Sequence, residues 1–342
     1  MTKKIDNSTF TQKNLFDIAN KPKNSTLKAI DLFAGIGGIR LGFQEAFGET
    51  IEFVFASEID KFAQQTYYAN FGEMPNGDIT KIDEKDIPSH DIILAGFPCQ
   101  AFSIAGLRKG FEDTRGTLFF DVARIAAYHK PKIIFLENVK GFVNHDKGNT
   151  FKVVKQTLED LGYKVYAKVL NAKDFGVPQN RERIYIVAFL EDVEFEFPRP
   201  LGVITSLKYI LENNPNIKSI KRDDIELKDD YDTSLNLLEG LPNRTLQIGK
   251  VNKGGGQGER IYSIYGHACT LSAYGGGVGA KTGLYLVNEE IRRLTPRECA
   301  RAQGFPDSFK LAENKNQAYK QFGNSVAVSV VKEIAMRCKT IT

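Results

Sequence analysis

Cys99 closes the turn Gly96-Phe97-Pro98-Cys99-Gln100, directly after the apolar run Asp91 to Ala95. A strand that ends in Pro-Cys carries a thiol to the rim of a sheet, where ligands bind in open α/β folds. A second apolar run, Lys132 to Leu136, delivers Glu137-Asn138-Val139 to what is expected to be the same rim. Sulfur beside a carboxyl group suits attack at a ring carbon while a ring nitrogen takes a proton. Cytosine fits this chemistry, because its C5 is a poor nucleophile until a thiolate adds at C6. Protonation at N3 eases that addition, and Glu137 can supply the proton if burial or the base raises its pKa. In Gln179-Asn180-Arg181-Glu182-Arg183, an arginine could hold O2 of the base and stabilise charge developing on the ring. A stacked base is out of reach, so the cytosine has to be flipped out of its duplex, at a cost of a few kcal/mol. Residues 100–117, with Gln100, Ser103, Arg108, Lys109 and Arg115, form a basic, glycine-punctuated loop suited to closing over phosphates.

A cofactor turn is expected at Asp31-Leu32-Phe33-Ala34-Gly35-Ile36-Gly37-Gly38, between the first strand and a helix. Its glycines permit a tight turn and close approach of a ligand to the helix N-terminus. Glu58, at the end of the second strand, can accept both hydroxyls of a ribose, and Asp78 can take an adenine amino group. Neither a P-loop lysine nor the G-x-G-x-x-G spacing is present. A nucleoside without a pyrophosphate therefore suits the turn better than a dinucleotide, and S-adenosylmethionine is the candidate.

The elements that position these groups follow from the pattern of apolar runs. Strands are expected at Ala29 to Phe33, Ile51 to Ala56, Asp91 to Ala95 and Lys132 to Leu136, with helices at Ile39 to Phe47, Lys61 to Phe71 and Leu118 to His129. This alternation predicts an α/β fold with a doubly wound, Rossmann-like sheet covered on both faces. Tyr163 to Leu170 and Arg183 to Phe189, with no helix between them, predict an antiparallel pair closing the sheet. After Pro200 the chain turns polar and irregular, and residues 253–283 are dense in glycine, with Tyr262, Tyr265 and Tyr274 interleaved. The expected division is a polar tail over 1–26, a catalytic domain over 27–190, a smaller domain over 191–285 and a C-terminal segment over 286–342. The last helix is expected to open at Gly323-Asn324-Ser325-Val326.

Composition sets wider bounds. A chain of 342 residues with 42% apolar content can bury a sizeable core, and its net charge of +4 neither requires nor excludes nucleic acid. No apolar stretch approaches a membrane span, and the N-terminal residues lack the apolar core of a secretory signal. Cys99, Cys269, Cys299 and Cys338 show neither C-x-x-C pairing nor metal-ligand spacing, and free thiols in a cytoplasmic protein are expected.

The blocks DLFAGIGG, GFPCQAFS, GFEDTRGTLFFD, ENVKGF, QNRERIY, RRLTPRECARAQGFPD and QFGNSVAV, in this order, resemble those of the bacterial cytosine-C5 DNA methyltransferases. The resemblance spans nearly everything from residue 29 onward. It implies that Cys99 is the nucleophile, Glu137 the acid at N3, and Arg181 and Arg183 the arginines at the base. It implies S-adenosylmethionine contacts at Phe33, Ala34, Gly35, Gly37, Gly38, Glu58, Ile59, Asp78, Ile79, Pro98, Leu118, Asn324 and Ser325, with S-adenosylhomocysteine as product. The C-terminal helix is then expected to return beside the first strand.

Residues 253–263 and 270–277 resemble the two recognition loops of family members that methylate the inner cytosine of GCGC. On that likeness Gln257 fills the hole left by the flipped base, Arg260 meets a guanine edge and Thr270 holds a phosphate. Gln100, Ser103, Arg115, Tyr274, Gly275 and Gly276 complete the expected DNA contacts. Three departures stand out: Ala105 replaces a serine of the catalytic loop, Ile59 replaces an aromatic residue beside Glu58, and 264–269 differs between the loops. The implied partners are double-stranded DNA and, functionally, a restriction endonuclease of the same specificity; a monomer is expected, since one chain carries every part. Two rival readings are an RNA cytosine methyltransferase and a catalytically idle DNA-binding regulator. The glycine-rich segment speaks against the first, and the intact Cys99, Glu137 and Arg183 set against the second.

Overall fold

The computed structural model describes residues 26–98, 118–229, 240–251, 255–275 and 277–341. Strands β1 (Leu27–Leu32), β2 (Ile51–Ser57), β3 (Ile92–Gly96), β4 (Ile133–Val139), β5 (Lys164–Asn171) and β6 (Glu182–Phe189) form one sheet in the order β2-β1-β3-β4-β6-β5. Strands β1 to β4 run parallel, and β6 is antiparallel to both β4 and β5. Side chains alternate between the two faces with period 2. Ala29, Ile92, Leu94, Ile133 and Phe135 face one core, while Ile30, Leu32, Ile93, Ala95, Ile134 and Leu136 face the other. Such doubly buried parallel strands need helices on both sides.

The first core is covered by α1 (Gly38–Phe47), through Phe43 and Phe47, and by the last helix of the chain. The second is covered by α3 (Leu118–His129) and α4 (Asn149–Asp160). Helix α2 (Lys61–Phe71) flanks β2, and its N-terminus is capped by Asp60, whose carboxylate accepts from the Phe62 and Ala63 amides. Helix α4 had no counterpart in the apolar pattern, because only Val154, Leu158 and Thr150 of its twelve residues are buried.

A second sheet contains β7 (Ile225–Leu227), β8 (Gln247–Val251), β9 (Arg260–Ser263), β10 (Leu284–Val287) and β11 (Glu290–Arg292), in the order β11-β10-β9-β8-β7. Strand β10 spans residue 285, and the sheet continues to Arg292. Helices α5 (Pro296–Arg301), α6 (Lys315–Asn324) and α7 (Val328–Lys339) follow. The expected start of the last helix needs correction: Gly323 and Asn324 close α6, and α7 begins at Val328. Ser325 and Ala327 are extended between them, and the carbonyls of Gly323 and Ser325 accept from Arg181 instead of continuing a helix. Helix α7 buries Val330, Val331, Ile334, Ala335 and Cys338 in the same core as Ala29 of β1. Cys269, Cys299 and Cys338 are free and buried. No helix among the described residues is long and apolar enough to cross a membrane.

Asp31 lies buried on β1, with Arg40 and Glu58 as charged neighbours. Arg40 is already engaged by the Tyr67 hydroxyl at 2.9 Å and by both Glu73 carboxylate oxygens at 2.9 and 3.0 Å. Burial pushes the Asp31 carboxyl up to about 8, so at neutral pH it is held protonated. The unfolded chain releases this proton near the ordinary value of 3.8, whereas the folded chain keeps it until about 8. Stability is therefore lost as pH rises through that interval. Asp31→Asn removes the titration, and its stability relative to wild type is expected to rise by about 4 kcal/mol from pH 5 to pH 8. Urea midpoints at the two pH values measure this, and an equal gain at both would remove Asp31 as the source.

Candidate active site

Glu137 sits in register with Gly96 of β3 on one side and with Tyr185 of β6 on the other. Val139 is opposite Arg183 in the same antiparallel pair, so the period of 2 puts Glu137, Val139, Arg183 and Tyr185 on one face. Arg183 is thus the diagonal cross-strand neighbour of Glu137. Its Nε lies 3.2 Å from Glu137 Oε1, and both side chains are nearly buried. Burial pushes the Glu137 carboxyl up, against the pull of Arg183 and, more weakly, Arg181. Beside it, Asn138 donates to the Phe97 carbonyl at 2.8 Å and so ties the end of β4 to the turn after β3.

Arg181 has the same parity as Arg183, but its Nη atoms have other partners. It is bonded to the carbonyls of Leu271, Gly323 and Ser325. Arg183 is the arginine paired with Glu137, while Arg181 is held by backbone carbonyls, and both line one cleft with Glu137.

A cleft of about 550 Å³ opens beside Glu137 and Arg183. Its walls include Phe33, Ala34, Gly35, Gly38, Glu58, Ile59, Asp78, Ile79, Pro98, Leu118, Asn324 and Ser325. Of the expected cofactor positions, only Gly37 is not in the wall. Gly37 has φ +82°, and a Cβ there would stand 2.2 Å from the Phe71 ring, so the turn requires glycine. Gly35, at φ +55°, has nothing within 4 Å of a Cβ position, which leaves open space in front of the backbone. Glu58 accepts from the Gly35 amide at 2.7 Å through Oε2 and from the Asp60 amide at 2.8 Å through Oε1. Each carboxylate oxygen keeps a further lone pair for a ribose hydroxyl. Asp78 accepts from the Thr80 hydroxyl at 2.7 Å, a bond that lowers its pKa and keeps it an acceptor. Ile59 is 71% exposed and offers the cleft an aliphatic wall. The volume lies within the range of small-molecule sites, and the open backbone cradle beside two carboxylates fits a nucleoside cofactor.

Several wall residues had no role in the sequence reading. Lys320 of α6 donates to Asp60 at 2.7 Å, and Gln321 donates to the Phe62 carbonyl at 3.1 Å. Both line the cleft and fasten α6 to the start of α2. Gln321 opens the QFGNSVAV block and Lys320 directly precedes it, which was their only signal.

On the glycine-rich segment, Gln257 is exposed and donates to the Thr270 carbonyl at 2.7 Å, while the Thr270 hydroxyl donates to the Asn180 carbonyl at 2.6 Å. Arg260 is exposed and donates from Nε to the Gly255 carbonyl at 2.8 Å. Tyr274 is 77% exposed and reaches the rim of the cleft. A Cβ on Gly275 would stand 2.0 Å from the Ala280 carbonyl oxygen. Cys99, Gln100, Ser103, Ala105, Arg108, Lys109, Arg115 and Gly276 lie outside the described residues.

Residues 27–340 match the C-5 cytosine-specific DNA methylase family. The chain belongs to that family. The methylase is 54% identical over 312 residues to the type II methyltransferase M.HhaI of Haemophilus parahaemolyticus, covering 90% of this chain and 93% of that protein. It is 50% identical over 314 residues to the type II methyltransferase M.NlaX of Neisseria lactamica, covering 91% and 96%. Among solved structures, the Dnmt2 methyltransferase of S. pombe superposes with a TM-score of 0.68 at 22% identity, covering 92% of the methylase and 99% of that chain. The Entamoeba histolytica methyltransferase EhMeth gives a TM-score of 0.68 at 21% identity, covering 93% and 99%. At these identities the likeness is one of fold.

Proposed function

We propose that the methylase is a type II enzyme that methylates C5 of the inner cytosine of GCGC in duplex DNA, as the modification partner of a restriction endonuclease with the same target. The pairing of Glu137 with Arg183 at the edge of a nucleoside-sized cleft carries the catalytic part of this reading. Residues 27–190 and 286–342 act as the catalytic body, and 191–285 as the part that reads DNA. One chain suffices, and it acts as a monomer.

S-adenosylmethionine, when bound, supplies an electrophilic methyl on a sulfonium. Glu58 and Asp78 orient the ribose and adenine, Phe33, Ala34 and Gly35 give the backbone cradle, and Asn324 and Ser325 close the opposite wall. Gln257 fills the space that a flipped cytosine leaves, while Arg260 and Tyr274 face the neighbouring bases and Thr270 a phosphate. The Cys99 thiolate forms a bond to C6 as Glu137 gives its proton to N3, and Arg183 holds O2. C5 then takes the methyl and gives its own proton to a solvent base, the C6–S bond breaks to return the thiolate, and N3 gives its proton back to Glu137.

Bisulfite sequencing of plasmid DNA from a host expressing the chain tests the target. Protected cytosines are expected at the first C of GCGC and nowhere else. Protection in another tetranucleotide would reject the target while keeping the chemistry; methylated RNA with unmodified plasmid would favour the RNA reading.

A further inference from the structure

Arg181 joins two parts of the molecule that the reaction uses separately. It is 2% exposed, and its Nη1 donates to the Leu271 carbonyl at 3.1 Å. Its Nη2 donates to the Gly323 carbonyl at 3.0 Å and also to the Ser325 carbonyl. Leu271 follows Thr270 on the glycine-rich segment. Gly323 and Ser325 bracket Asn324 in the wall of the cofactor cleft.

A second contact joins the same pieces without Arg181. A Cβ on Gly323 would stand 2.2 Å from the Ala273 nitrogen and 2.3 Å from the Ser272 carbonyl carbon, so the two backbones touch. The segment is also stitched to the loop that leads through Arg181 into β6. The Ala268 amide donates to the Pro178 carbonyl at 2.7 Å, and the Asn180 amide to the Ala268 carbonyl at 2.9 Å. A guanidinium offers its donors in a rigid planar fork, so the carbonyls it bonds are held in one relative arrangement.

The geometry points to Arg181 as a positioning residue that couples cofactor binding to DNA binding, by locking Leu271 of the recognition segment to the Gly323–Ser325 wall. This rests on the DNA and S-adenosylmethionine reading above. A ligand that settles the wall favours the arrangement of the segment that DNA meets, and the effect is reciprocal. Lysine can keep the charge, but a flexible ammonium cannot hold three carbonyls in fixed register.

The test is the dissociation constant of S-adenosylhomocysteine with and without a GCGC duplex, measured calorimetrically. Wild type is expected to bind it about tenfold tighter with the duplex present. In Arg181→Lys this ratio is expected to fall below about twofold, while kcat with both substrates saturating falls less than about tenfold. A retained ratio with kcat down more than about 100-fold would make Arg181 a contact to the base and overturn the proposal. Equal weakening with and without duplex would make it merely structural, with the same consequence. If Arg181→Lys does not fold, Gly323→Ala tests the joint from the other side by pushing on Ser272–Ala273; an unchanged ratio there overturns the coupling. Wild type that methylates GCGC duplex but shows no ratio overturns the coupling alone. Wild type that methylates no duplex removes the functional reading, and the coupling with it.

Discussion

Cys99→Ala is expected to lower methyl transfer to duplex DNA by at least about 10⁴-fold, while S-adenosylhomocysteine binding changes by less than about threefold. The methyl side chain cannot form the bond to C6, so C5 never gains the electron density to attack a sulfonium. The groups expected to hold the cofactor, Glu58, Asp78 and the Gly35 backbone, are untouched by the substitution. A duplex with 5-fluorocytosine at the target gives a second measure. Fluorine cannot leave C5 as a proton does, so the adduct persists as a covalent complex on a denaturing gel for wild type, with none for the variant. A fully active Cys99→Ala enzyme, or a wild type that traps nothing with cofactor present, would reject addition at C6.

Glu137→Gln is expected to reduce kcat by about 10²–10⁴-fold, because the amide can hydrogen-bond to N3 but cannot give up a proton. The pH profile carries the sign of the environment. Burial raises the Glu137 pKa above the ordinary carboxyl value, and Arg183 at 3.2 Å opposes it. On the proposed mechanism the acid form is the active one, so the rate is expected to hold below the raised pKa and to fall as pH climbs through it. Arg183→Met removes the opposing cation; the falling limb is then expected to move to higher pH, although the rate itself drops. A limb that stays in place, or one that moves to lower pH, would show that another group sets it.

Much of the catalytic body was legible because buried parallel strands leave a plain signature. The runs after Asp91 and Lys132 are apolar because both faces of each strand are covered, and they reappear as β3 and β4, while the run at Ile51, broken only by exposed Glu52, reappears as β2. Helix α4 and the second sheet were not legible. Helix α4 turns only a narrow stripe inward, and β7, β10 and β11 are three or four residues long, too short for a period of 2 to stand out.

By itself the sequence offered the candidate reacting groups and their neighbours. The thiol of Cys99, the carboxyl of Glu137 and the glycine turn at Gly35 to Gly38 are local facts of residue type and spacing, as is the membership that ordered blocks disclose. Only the tertiary structure decided which arginine pairs with the acid and which is held by backbone carbonyls. Arg181 and Arg183 have the same type and parity, and nothing within the pentapeptide distinguishes them. The difference comes from carbonyls 90 to 144 residues away in the chain, which hold the Nη atoms of one guanidinium and leave the other against Glu137, with both in the wall of the cleft. Local pattern records what a side chain can do, whereas the direction in which it acts is set by long-range contacts that form only when the chain has folded.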